Sequence, residues 1–307
     1  MFQSIEEIEQ KFAAQGYITD RHLATTVYLS TSLGKPLYLE GEPGVGKTEV
    51  AKVLAKSLDT ELIRLQCYEG LDTNLALYEW NYLRQMLEVR LQEARGVAKD
   101  KIGANIFDEQ FLLERPLLRA IQHHGKRPVL LIDEIDRSDD EFEAFLLEVL
   151  SDFQITIPEV GTIRAEQPPF VVLTSNRTRE MHDALKRRCL YHWIDYPTLE
   201  KELDIVLTKV PEIKELLSIQ VCKFMELLRR EDFYKRPGIA ETLDWANALL
   251  SLGIDELDQH VIETTMSCIL KYRQDQEKLA GDNLQKALAL TKNFKGGPTV
   301  SAQGSIN

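Results

Sequence analysis

The eight residues GEPGVGKT, from Gly41 to Thr48, restrict the fold of this chain more than any other stretch. They fit the pattern G-x-x-x-x-G-K-[ST], and their flanks are the ones that pattern requires. Residues 36–39 read as a short buried strand, and residues 48–58 carry helical periodicity. A strand that runs through a glycine turn into a helix makes a phosphate cradle. Glycines let backbone N–H groups approach phosphate oxygens, and the helix start adds the positive end of its dipole. Lys47 then reaches the β- and γ-phosphates of ATP, and the Thr48 hydroxyl ligates Mg2+. Gly41, Glu42, Pro43, Gly44, Val45 and Gly46 form the cradle, and Glu49 lies in the first helical turn.

Further apolar runs at 61–67, 128–132, 169–174 and 190–195 are each followed by polar or helix-starting residues. Strands alternating with helices predict an α/β fold, with a mostly parallel sheet between helical layers. Such sheets bind ligands at the C-terminal ends of their strands. Three strand ends carry chemistry there. Val129-Leu-Leu-Ile-Asp-Glu134 ends in two carboxylates, Asp133 to hold magnesium through water and Glu134 to polarise the attacking water. Val171-Val-Leu-Thr-Ser-Asn176 ends in an amide that could orient that water. Ala184-Leu-Lys-Arg-Arg-Cys189 offers Arg187 and Arg188 as an arginine finger for a neighbouring subunit, with Arg188 favoured; the plain alternative is cations at a helix C-terminus.

Composition narrows the function classes. Hydrophobic residues make up 44% and charged residues 28%, as in a globular chain with a substantial core. The net charge of −12 opposes nonspecific binding to nucleic acid or anionic lipid. No run approaches a membrane span, so no integral membrane segment is expected. The acidic, amphipathic start lacks the pattern of a secretory signal, and the expected location is cytoplasmic. Cys67, Cys189, Cys222 and Cys268 have neither disulfide-like nor metal-like spacing. His123 and His124 read as a solvated helix end, and Tyr78, Trp80 and Tyr82 as packing beneath an insertion.

The chain divides into a nucleotide-binding core over 1–197, a helical lid of four or five helices over 198–291, and a disordered tail over 292–307. Within the core, a mainly helical insertion is expected at about 68–127 and a β-hairpin at about 154–170. Ser4 and Glu7 suggest a capping box, and Asp20 a second helix start.

Taken together, the GEPGVGKT loop, the LLIDE box, the LTSN strand end and the LKRRC segment, followed by a helical lid, resemble the AAA+ ATPases. The run IDRSDDEFEAFLLEVLSDFQITIPEVGTI is similar to the MoxR branch. QCYEGLDTNLALYEWNYLRQMLEVRLQEA and SNRTREMHDALKRRCLYHWIDYP resemble its CoxD-like members. The resemblance covers roughly residues 20–252 and implies a homo-oligomeric ring, usually a hexamer, with ATP bound between subunits. It also implies a chaperone-like remodeler working with a partner that carries a von Willebrand factor A (VWA) domain, CoxE-like, on a client metalloenzyme such as a molybdenum hydroxylase of the carbon monoxide dehydrogenase type. The family's lid arginine would fall near Ala240, and the nearest arginine is Arg236, which could take its place in reading the nucleotide. Two other readings stay open: a nucleotide-gated assembly adaptor with little turnover, and a P-loop kinase acting on a small molecule.

Overall fold

The structure is a computed structural model and describes residues 1–96 and 106–292. The chain forms two compact units, Met1–Asp195 and a second that begins at Tyr196.

In the first unit, five strands make one sheet: β1 (Leu37–Gly41), β2 (Leu62–Gln66), β5 (Val129–Asp133), β8 (Phe170–Ser175) and β9 (Leu190–Ile194). Their order is β2-β5-β8-β1-β9, and every neighbouring pair is parallel. The central strands are unbroken apolar runs because both of their faces are covered. One face carries Leu37, Leu39, Leu131 and Val172, under α1 (Ile5–Ala14), α2 (Arg21–Leu33) and α3 (Lys47–Leu58). The other carries Tyr38, Ile63, Ile132 and Leu173, in a core shared with α6 (Pro116–Ile121), α7 (Asp140–Asp152) and α8 (Asp183–Arg188). Helix starts are set locally. Ser4 Oγ accepts from Glu7 N–H at 3.2 Å, Asp20 from Leu23 N–H at 2.9 Å and Asp139 from Phe142 N–H at 2.8 Å.

Two excursions leave the sheet. After β2 come α4 (Thr73–Leu77), β3 (Tyr78–Trp80), α5 (Tyr82–Ala94), a 3-10 turn at Glu109–Phe111 and β4 (Leu112–Glu114), leading into α6. Among the described residues this stretch is mainly helical, with two short strands set into it. β3 breaks the helix expected through Ala76 to Ala94, because Tyr78 and Trp80 pair antiparallel with Glu114 and Leu112. Asn81 then restarts a helix by accepting from Arg84 N–H at 3.0 Å. Trp80 is buried and stacks edge-on with Tyr78 and Phe107, whereas Tyr82 is exposed. Residues 97–105 of that insertion lie outside the described residues. The second excursion is an antiparallel pair, β6 (Gln154–Ile157) with β7 (Gly161–Arg164), in which Ile155 faces Ile163. It grows directly from α7 through Phe153, whose left-handed backbone turns the chain.

The second unit is helical: α9 (Leu199–Lys209), α10 (Glu215–Arg230), α11 (Ile239–Ser251), α12 (Gln259–Ile269), α13 (Arg273–Leu279) and α14 (Asp282–Lys292). Among the described residues six helices replace the expected four or five, because the chain breaks at Leu270 and at Gly281 within stretches of helical periodicity. Lys292 closes α14, and residues 293–307, most of the expected tail, lie outside the described residues. Trp245, fully buried against Phe224, donates to Thr265 Oγ1 at 2.8 Å. A buried ion pair crosses this unit: Arg229 donates to both oxygens of Glu202, at 2.5 and 2.7 Å, and to the Pro237 carbonyl at 2.8 Å. Among the described residues no helix is long and apolar enough to cross a membrane.

Removing one partner of a buried ion pair strands the other charge. Arg229→Met should therefore lower the unfolding free energy of the helical unit by about 3–5 kcal/mol. Urea titration followed by Trp245 fluorescence, with Trp80 and Trp193 replaced by Phe, measures it; a change near zero would mean that Glu202 finds another partner.

Candidate nucleotide site

β1 delivers the chain into the loop at Gly41, and two glycines there are demanded by geometry. A Cβ on Gly41 would lie 2.3 Å from the Ile194 carbonyl oxygen of β9. Gly46, at φ +97°, stands at the start of α3, which has no side-chain cap. An uncapped start leaves first-turn N–H groups available to an anion. Val45 is buried and anchors the loop, Pro43 is half-buried, and Glu42 and Gly44 are exposed. The buried Lys47 turns its Nζ onto the Gly41 and Glu42 carbonyls, at 2.7 and 2.8 Å. Burial pulls its pKa down to about 8, against the opposing pull of Asp136, Glu42, Asp133 and Glu134. Glu49 faces away, its carboxylate 3.3 Å from Lys52 Nζ.

Asp133, at the end of β5, gathers four elements around one carboxylate. Thr48 Oγ1 of α3 donates to its Oδ1 at 3.0 Å, and Thr174 Oγ1 of β8 to the same oxygen at 2.5 Å. Arg64 of β2 holds Oδ2 through Nε at 2.9 Å and Nη2 at 2.5 Å. Thr174 also accepts from the Glu134 backbone N–H at 3.0 Å, which fixes the ends of β5 and β8 side by side. Glu134 leaves the strand with φ +55°, a conformation a non-glycine residue keeps only when its surroundings impose it. Its half-buried carboxylate meets Arg137 Nε at 2.9 Å. The half-buried Asn176 follows β8 one residue past Ser175, and its side chain makes no hydrogen bond among the described residues.

The loops after β5 and β8 are stitched together. Asp136 accepts from Thr178 N–H at 2.9 Å and from its hydroxyl at 2.7 Å. Glu143 of α7, fully buried, accepts from His182 N–H at 3.0 Å and pairs with Arg179, which also donates to the Ser138 carbonyl. At the end of α8 the two arginines differ. Arg188 is tied to the Leu147 carbonyl and Ser151 Oγ of α7. Arg187 is exposed and makes no hydrogen bond or ion pair among the described residues. In the helical unit, Arg236 is exposed in the turn that leads into α11.

A model of the ATPase family associated with various cellular activities (AAA) matches residues 37–194. The chain belongs to the AAA ATPase family. Two uncharacterised proteins of Staphylococcus aureus are similar to it over 232 residues, 72% of this chain and 77% of theirs: 29% identical in strain bovine RF122 and 28% in strain USA300. Among solved structures, the RuvB Holliday junction branch migration motor of Thermotoga maritima is 18% identical, spanning 80% of this chain and 67% of that one at a TM-score of 0.45. The AAA core here is the parallel sheet with its phosphate loop, and a helical region follows it.

Within this AAA core the structure brings together Gly41 through Thr48, Asp133 and Glu134, with Asn176 at the neighbouring strand end. Sequence reasoning missed Arg64, Thr174 and Asp136. Arg64 had one signal: an arginine inside the alternating strand LIRLQ. The donor set suits magnesium, since a hydroxyl and a carboxylate oxygen 3.0 Å apart at the mouth of a phosphate loop are hard ligands. Burial pushes the thiols of Cys67 and Cys189 up to about 12, so neither is a thiolate near neutrality. On the sheet's other face, Glu40 accepts from Tyr38 and Tyr191 at 3.2 and 2.9 Å and lines a cavity with Arg177, Glu180 and Lys186.

The lysine sets a pH dependence. A bound phosphate favours the ammonium form, so the complex holds the Lys47 proton more tightly than the free protein does. Nucleotide affinity should be flat well below pH 8 and weaken by up to about tenfold per pH unit above it. Titration with a fluorescent ATP analogue across that range checks this, and Lys47→Met should remove the slope.

Proposed function

We propose that this AAA chain binds Mg·ATP on the GEPGVGKT loop, hydrolyses it, and works in the cytoplasm as a ring-forming remodeler. One observation carries the reading: Thr48 of the loop and Asp133 of β5 meet at 3.0 Å beneath an uncapped helix start, with Glu134 one residue on. Lys47 exchanges its loop carbonyls for phosphate oxygens, and the free N–H groups from Gly44 to Thr48 bind the rest of the chain of phosphates. Magnesium, held by Thr48 and Asp133, supplies charge neutralisation on the phosphate oxygens. Glu134 orients and deprotonates the attacking water, and the amide of Asn176 positions it against the γ-phosphate. Most of the rate comes from this positioning and from preorganised charge.

The finger assignment moves from Arg188 to Arg187. Arg188 spends its guanidinium on α7, whereas Arg187 projects into solvent and can enter a neighbour's site. Arg236 stands for the lid arginine. The branch-specific strings at 66–94, 135–163 and 175–197 support a MoxR-type, CoxD-like member. That membership brings a hexameric ring, a VWA-domain partner and a client metalloenzyme, in which a molybdenum hydroxylase site is matured. The net charge of −12 argues against carrying over the nucleic-acid role of RuvB.

Glu134→Gln should keep ATP binding while hydrolysis falls by about 10²–10⁴, the usual range for a lost general base; ordinary turnover in that variant overturns the role of Glu134. Turnover per chain should climb with protein concentration and collapse in Arg187→Ala by about 10³ or more, with a smaller loss in Arg188→Ala. Turnover that ignores both concentration and the arginines would instead fit a chain working alone, as a small-molecule kinase would. ATP-dependent assembly with negligible turnover in the wild type would fit an adaptor.

A further inference from the structure

The Asp133 carboxylate is nearly sealed from solvent, its side chain 3% exposed, while its partner Arg64 keeps 50% of its side chain in water. A carboxylate buried to that degree needs a countercharge. The two oxygens are unevenly shared. Oδ1 takes the hydroxyls of Thr48 and Thr174, at 3.0 and 2.5 Å, which belong to the loop helix and to β8, and the Thr48 hydroxyl also lies 3.3 Å from Oδ2. Oδ2 takes the guanidinium of Arg64 through two N–H groups. A hydrated magnesium ion beside the Thr48 hydroxyl requires a carboxylate oxygen to accept from its water shell, and Oδ2 is the oxygen that the arginine covers.

We propose that Arg64 is a placeholder cation: its guanidinium neutralises Asp133 at Oδ2 and yields that oxygen when Mg·nucleotide enters, so that Arg64 and magnesium compete for one carboxylate. This rests on the reading of the loop as a Mg·ATP site. Three features make the exchange cheap. Arg64 sits on β2, the edge strand of the sheet, so its head leaves toward solvent without disturbing packing. Its Nη2 already reaches Gln66 Oε1 at 2.5 Å, two residues along the strand, so a second partner can keep it close by. The half-exposed pair has lost little hydration on the arginine side, and such pairs are weaker than sealed ones. Arg64 occupies the exposed position of the alternating strand, on the face that carries Leu131 and Asp133. The exchange makes Arg64 a positioning residue that sets how strongly nucleotide binding depends on magnesium.

The test uses the full chain and a fluorescent ADP analogue, with Kd measured in millimolar magnesium and in EDTA. The ratio of the two Kd values reports the magnesium gain. In Arg64→Ala the competitor is gone, and that gain should rise about three- to tenfold over wild type, the span between an exposed and a half-buried ion pair. Without nucleotide, magnesium alone should raise the melting temperature of Arg64→Ala and leave the wild type nearly unmoved. Should the alanine variant not fold, Arg64→Lys decides by the same ratio, because lysine keeps the charge but loses the planar two-point grip. A gain unchanged in the folded variants, with wild-type binding that magnesium strengthens, overturns the placeholder alone. Wild-type protein that binds the analogue in neither condition overturns the Mg·ATP reading and the placeholder together.

Discussion

A single sealed carboxylate organises the core. Asp133, the last residue of β5, is where a hydroxyl from the first turn of α3, the penultimate residue of β8 and an arginine of the edge strand β2 all converge. A buried anion left without these donors would cost several kcal/mol, so the strand ends hold one geometry. The same convergence sets the backbone of Glu134. Its N–H is taken by Thr174, and the chain turns through a left-handed residue instead of extending the strand.

The rest of the site follows from that geometry. Because β5 and β8 are neighbours in parallel register, the residues just beyond Ile132 and Leu173 come level with each other, which puts Asn176 near the turn that carries Glu134. Gly41 lets β1 pass against the Ile194 carbonyl so that the loop starts at the same edge. The proposed water-positioning groups, phosphate cradle and cation site all lie at strand ends. None depends on a long irregular loop.

Much of this was legible in the sequence because it is local. The loop GEPGVGKT, the five apolar runs of the sheet and the helix starts at Ser4 and Asp20 are each decided by neighbouring residues. The features that were not legible depend on residues distant along the chain. β3 forms only because Leu112–Glu114 comes back to pair with it, and local periodicity through Tyr78 still reads as helix. Arg64 and Asp133 are 69 positions apart, and only the pairing of β2 with β5 brings them together. The difference between Arg187 and Arg188 is one of rotation about a short helix. It is settled by the carbonyl and hydroxyl that α7 happens to offer.

The stitching of the two strand-end loops gives α7 a lever's geometry. At one end the helix is pinned through Glu143 to Arg179 and His182 of the segment that follows Asn176. At the other, Phe153 passes it without a spacer into the β6–β7 pair. Thirteen residues of helix are about 20 Å of rigid rod. A tilt of about 10° at the pinned end therefore displaces the far end by about 3 Å, an amplification from hydrogen-bond dimensions to those of a side chain. The rod also carries the anchor of Arg188 along its last turns, so the end of α8 travels with it.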